Sequence, residues 1–88
     1  IMAIFKKGFS KRAKILRENK AMQPYFPILD ELEFIAHKYN DKLPTAFEIA
    51  SNGFTIKQVK YVLDNLYPEY NYNCLSYSRG QRIVCSRS

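Results

Sequence analysis

Thr45-Ala46-Phe47-Glu48-Ile49-Ala50-Ser51-Asn52-Gly53-Phe54-Thr55-Ile56-Lys57-Gln58-Val59 is the stretch on which the fold turns. It holds two patterns of the capping-box type. Thr45 with Glu48, and Thr55 with Gln58, each place a hydroxyl to accept from the third helical N–H and a side chain that reaches back to the cap. Asn52-Gly53 between them is a turn signal. The spacing predicts a short helix from Thr45 to near Ser51, a tight turn, and a longer helix from Ile56 to near Leu66. That longer helix would bury Ile56, Val59, Val62, Leu63 and Leu66 along one side. Tyr67-Pro68 stops it.

Upstream, Pro27 to Asn40 reads as a helix. Pro27 suits the first helical position, where its missing N–H costs nothing. Asp30, Glu31 and Glu33 favour the positive end of the helix dipole. Ile28, Leu29, Leu32, Ile35, Ala36 and Tyr39 form one apolar stripe. Before it, Gln23-Pro24-Tyr25-Phe26 reads as a linker. Ser10 offers a cap for a helix over Lys11–Met22. Phe5, Phe9, Ala13 and Leu16 make that segment apolar on one side and basic on the other, so part of it can pack on the body.

Downstream, the period shifts towards two. Tyr70–Tyr77 and Gln81–Arg87 flank Ser78-Arg79-Gly80, which predicts a β-hairpin. A two-residue Arg79-Gly80 loop sets Tyr77 opposite Arg82, Leu75 opposite Val84, and Cys74 opposite Cys85. Leu75 and Val84 are the expected buried pair.

The charge is divided unevenly. The chain of 88 residues has a net charge of +6. Residues 1–20 hold seven bases (Lys6, Lys7, Lys11, Arg12, Lys14, Arg17 and Lys20) against the single acid Glu18. Residues 21–88 hold seven bases and seven acids, and so sum to zero. The expected organisation is a basic N-terminal arm over 1–23 and a neutral domain over 24–88. Cationic arms bind polyanions, either nucleic-acid phosphates or anionic lipid.

The order helix, short helix, tight turn, longer helix, hairpin is that of a winged helix. Residues 45–63 resemble the helix-turn-helix of the winged-helix superfamily. There, a Glu-Ile-Ala stretch like Glu48-Ile49-Ala50 precedes a turn glycine, a Ser/Thr cap and a Val or Ile inside the recognition helix. Gly53 lies one residue closer to Ala50 than is usual. The resemblance implies an α+β, mostly helical winged helix-turn-helix fold, with three or four helices and a C-terminal hairpin. It also implies that Ile56–Leu66 enters the DNA major groove. Lys57, Lys60 and Tyr61 would then meet phosphates or bases, while Arg79 and Arg82 at the hairpin tip would meet phosphate or the minor groove. Lys6, Lys7, Lys11, Arg12, Lys14 and Arg17 would supply most phosphate contacts. Asp64 is out of place on such a surface.

Catalysis is not expected. His37 is the only histidine, and no Ser, Cys or Asp stands at a spacing that suggests a triad. Cys74 and Cys85 are not in a metal spacing, and no phosphate-cradling glycine loop occurs. Their cross-strand position permits a disulfide after oxidation, with reduced thiols the default in the cytosol. No cofactor, no small-molecule substrate and no transmembrane segment are expected. The expected function is a cytoplasmic or nucleoid-associated DNA-binding regulator of transcription or replication. Alternatives are a protein-interaction module or inhibitor of phage or plasmid type, an RNA-binding factor, and attachment to anionic membranes through Phe5, Phe9 and Leu16.

Overall fold

The computed structural model describes residues 8–87. The chain is α+β, with three α-helices and a three-stranded antiparallel sheet among the described residues. In order come α1 (Phe9–Arg17), a 3-10 helix (Lys20–Tyr25), α2 (Phe26–Lys38), β1 (Ala46–Ala50), α3 (Ile56–Leu66), β2 (Tyr72–Tyr77) and β3 (Arg82–Arg87). The strand order is β1-β3-β2, so β3 is central.

α3 has the bounds and the cap that its sequence predicts. Thr55 accepts from the Gln58 N–H at 3.1 Å, and the Gln58 side chain accepts from the Thr55 N–H at 2.9 Å. Val59, Val62, Leu63 and Leu66 are buried. Ile56 is an exception, at 38 % exposure in the first turn. α2 also follows most of its periodicity, with Pro27 in its first turn and Ile28, Leu29, Leu32 and Ala36 buried, but Tyr39, expected in the same stripe, lies just past its end and is 52 % exposed.

The first of the two expected helices does not form. Residues Ala46–Ala50 are a strand that pairs with β3, from Ala46 opposite Ser86 to Ala50 opposite Arg82. The segment Ala-Phe-Glu-Ile-Ala also alternates, and the alternation wins. Phe47 and Ile49 turn inward while Ala46 and Glu48 stay exposed. Five residues make little more than one helical turn, which nucleates poorly. As a strand they satisfy the free edge of β3 and fill the sheet's inner face. Asn52 and Gly53, at φ 49° and 85°, then make the left-handed turn into α3.

The hairpin has the expected register: Tyr77 faces Arg82, Leu75 faces Val84, and Cys74 faces Cys85. Its faces are the reverse of those expected. Leu75 is 68 % exposed, whereas Tyr72, Cys74, Ile83 and Cys85 are buried. Two factors decide this. β1 adds Phe47 and Ile49 to the Ile83/Cys85 side, and Tyr72 brings the largest ring to the same side, against Phe47 at 5.7 Å between ring centroids.

The helix expected over Lys11–Met22 is shorter and starts earlier, at Phe9–Arg17. Ser10 lies inside it and does not cap it. Gly8 is the cap residue and has no side chain to offer. Asp41 supplies the cap from another part of the chain. Its carbonyl accepts from the Phe9 N–H at 2.7 Å, and its Oδ1 accepts from the Ser10 N–H at 2.9 Å and hydroxyl at 2.6 Å. Asn40 and Asp41 reach this position through left-handed backbone, at φ 61° and 64°. A Cβ on Gly8 would run into the Asp41 carboxylate, so the glycine is required for close approach. Replacing Asp41 with Ala is expected to cost about 1–2 kcal/mol, the range of a lost N-cap. Urea denaturation would measure the loss, and an unchanged midpoint would contradict the capping role.

Residues 9–22 belong to the same core as the rest. Phe9, Ala13 and Met22 are at most 2 % exposed and join α2, α3 and the sheet in one apolar cluster. Among the described residues, no helix is long and apolar enough to cross a membrane.

Candidate nucleic-acid interface

α1 sorts its cations by direction. With Phe9 and Ala13 inward, Arg12 lies along the packed side. Its guanidinium donates to the Leu66 carbonyl at 2.7 Å and to both Glu69 carboxylate oxygens at 3.0 and 2.7 Å. It also lies 4.4 Å above the Tyr67 ring. Arg17 donates to Asp30 and Glu33 on α2 at 2.8 and 2.9 Å and sits over Phe26. Lys11 and Lys14 point the other way. Both are exposed, and neither has an acid within ion-pair distance among the described residues. With Ile15 and Glu18 they line a shallow cleft of about 320 Å³. Lys6 and Lys7 lie outside the described residues.

α3 presents Lys57, Gln58, Tyr61, Asp64 and Asn65 to solvent, because the opposite stripe is buried. Lys60 is partly exposed. Its ammonium lies 3.3 Å from Asp64 and donates to the Tyr72 carbonyl at 3.2 Å. The awkward carboxylate is thus matched by its own helix, at the expense of one cation. Tyr61 packs against Tyr25 with ring centroids 5.2 Å apart. The two rings, Thr55, Gln58 and exposed Lys57 border an open cleft of about 400 Å³.

The hairpin tip is tied to this end of α3. Ser51, buried just after β1, donates its hydroxyl to the Gly80 carbonyl at 2.6 Å and its N–H to the Gln81 carbonyl at 2.8 Å. The Phe54 N–H returns to the Ser51 carbonyl, and Thr55 begins the cap of α3. Arg79 stands exposed at the tip with φ 57°, next to Gly80 at 84°. This is the backbone a tight two-residue hairpin turn demands. Arg82 is held by Glu48 at 2.9 Å across to β1.

The residues expected to meet nucleic acid therefore divide into two sets. Arg12, Arg17, Lys60 and Arg82 are fastened to acids of the fold. Lys11, Lys14, Lys57 and Arg79 are exposed without an acidic partner among the described residues, and Tyr61 is exposed beside Tyr25. Two positions escape a sequence reading. Tyr25 sits in what reads as a linker, and nothing local marks it as the neighbour of Tyr61. Ser51 looks like a helix end, and its role depends on pairing with residues 80 and 81.

Below the helices, Tyr67 is 5 % exposed and its hydroxyl lies near the Leu43 backbone without making a hydrogen bond. Burial pushes its pKa up to about 12, with Arg12 pulling the other way. Among the described residues, no cluster of three or more His, Cys, Asp and Glu stands ready for a metal ion. His37 is exposed on α2. No family model matches the chain, and neither a curated protein nor a solved structure matches it.

Proposed function

We propose that this chain is a non-enzymatic nucleic-acid-binding module of winged-helix type, a regulator that favours duplex DNA. The observation that carries the reading is the unmatched charge. Asp30, Glu33, Glu48, Asp64 and Glu69 each hold a cation of the fold. Asp41 accepts from Ser10, and Glu31 accepts from Asn52. Lys11, Lys14, Lys57 and Arg79 are left in excess at exposed positions. Glu18 borders the same cleft as Lys11 and Lys14 but is not ion-paired to either, and lysine and arginine outside ion pairs suit phosphate oxygens, which fix position more than sequence. Sequence discrimination would come from α3, through Tyr61, Asn65 and Lys57, with Arg79 of the hairpin alongside. The strand in place of the first motif helix means that α3 is delivered by a strand and a turn. The winged-helix reading then rests on α3, the hairpin and their order.

The test is an anisotropy titration of labelled duplex DNA across salt, with the double variant Lys11→Gln/Lys14→Gln beside the wild type. Wild-type affinity is expected to fall steeply with salt. The variant should lower the log–log slope by about 0.9 for each phosphate it no longer neutralises. No binding at low salt, or a variant with the wild-type slope, would overturn the proposal. Structured RNA in a parallel titration separates the RNA reading, which predicts the tighter complex there.

A protein-interaction module is the second reading. It is favoured by Leu75 and Tyr77, 68 % and 55 % exposed on the outer face of the sheet. A stoichiometric protein partner that survives Lys11→Gln/Lys14→Gln, with no DNA binding, would replace the first reading by this one.

A further inference from the structure

We propose that Cys74 and Cys85 form a dithiol–disulfide site, in which a small-molecule disulfide oxidises the pair to an intramolecular bond that staples β2 to β3. The two are the only cysteines of the chain. They are direct partners in the β2–β3 register, and their sulfurs lie 3.4 Å apart. Directly opposed residues of an antiparallel pair have Cα atoms about 4.5–5.5 Å apart. A disulfide accepts about 4.4–6.8 Å. The backbone thus already holds the bridged spacing, and small side-chain rotations bring the sulfurs together.

Burial selects the intramolecular product. Cys85 is 0 % and Cys74 8 % exposed, so a mixed disulfide formed when Cys74 opens meets the Cys85 sulfur, 3.4 Å away in the closed strand pair, before another chain's thiol. Cys74 lies on an edge strand, where local opening exposes it first. Contact with the Cys85 thiol holds Cys74 below the ordinary thiol range, with help from the Lys60 ammonium. The same contact and burial push Cys85 up. Its edge position and greater exposure make Cys74 the attacking sulfur and the fully buried Cys85 of the central strand the resolving one.

The chemistry balances with oxidised glutathione as the oxidant. The Cys74 thiolate attacks one glutathione sulfur, forming a mixed disulfide and releasing one glutathione thiolate, which takes up a proton. Cys85 then loses its proton, attacks the Cys74 sulfur and expels the second glutathione. The protein loses two electrons and two protons, and one glutathione disulfide becomes two thiols.

The test incubates the full chain with oxidised glutathione and follows intact mass, thiol titre and thermal unfolding. The expected product is a monomer lighter by two hydrogens, with no free thiol and a Tm higher by about 10 °C. Cys85→Ala is expected to stop at a glutathione adduct on Cys74. Free thiols at the end of incubation, a lasting adduct on the wild type, a disulfide-linked dimer, or a bridged chain with an unchanged or lower Tm would each overturn the proposal. The wild-type measurement decides by itself if Cys85→Ala does not fold.

Discussion

A chain that begins at Gln23 is expected to show no cooperative thermal transition by circular dichroism. Charge counting sets residues 1–23 apart as an arm, yet Phe9, Ala13 and Met22 are 0 %, 2 % and 1 % exposed in the shared core. Emptying a buried Phe or Met site typically costs about 2–5 kcal/mol each. The total stability of a domain this size is about 4–13 kcal/mol. Losing both sites, together with the Arg12 anchor, removes most or all of it. A cooperative melt in the shortened chain would show that residues 23–88 are a domain in their own right. Loss of DNA binding on such a deletion would therefore report unfolding, so charge substitutions at Lys11 and Lys14 are the cleaner probe.

Replacing Arg12 with Met is expected to lower stability by about 2–4 kcal/mol, because it removes three charge-assisted hydrogen bonds and leaves the Leu66 carbonyl without that donor. For a chain of this size that is a fall in Tm of about 10–25 °C, measurable by calorimetry. The Arg12 side chain is 16 % exposed, and Glu69 is 46 %. The asymmetry predicts unequal single variants. Glu69→Gln leaves Arg12 its bond to the Leu66 carbonyl and its place over Tyr67, so it should cost no more than about 1 kcal/mol, the range of an exposed ion pair. Equal losses would sink the anchoring role. The pair also has a pH signature. Its hydrogen bond to Arg12 holds the Glu69 carboxyl below the ordinary range. An acid with a depressed folded-state pKa adds stability above its unfolded pKa and loses it as pH falls through the folded value. The acid limb of the stability profile should therefore be shallower in Glu69→Gln.

The sequence was most legible where local and long-range demands agree. α2 and α3 carry apolar stripes at helical spacing, and α3 also carries its capping box; α3 forms where expected and α2 within two residues of it. The hairpin register follows from the loop at Arg79-Gly80. The misreadings share a cause, which is dependence on a distant partner. Thr45–Glu48 fits a capping box, but β3, some 34 residues away at the Glu48–Arg82 pair, recruits the segment as a strand. The sheet's inner face is then set by Phe47, Ile49 and Tyr72, while Cys74 and Cys85 act as small buried hydrophobes. The ion pairs of Arg12 and Arg17 are equally invisible locally, because Glu69 lies 57 residues from Arg12, and Asp30 and Glu33 sit on a separate helix. Sequence separation hides such pairings, and no local pattern restores them.

Ser51 has a mechanical consequence. It pins the hairpin loop to the chain four residues before the Thr55 cap, through both its N–H and its hydroxyl. The loop and the start of α3 are thus joined like the two jaws of a caliper, through the two hydrogen bonds of one residue. This joint spares a binding event the ordering of this connection, which for a slack one would cost about 1–2 kcal/mol per residue. It also makes the gap itself a selector. On the nucleic-acid reading proposed above, a partner that reaches both Arg79 and Lys57 would engage both jaws together. One that does not must choose between them and forgoes the gain of gripping twice.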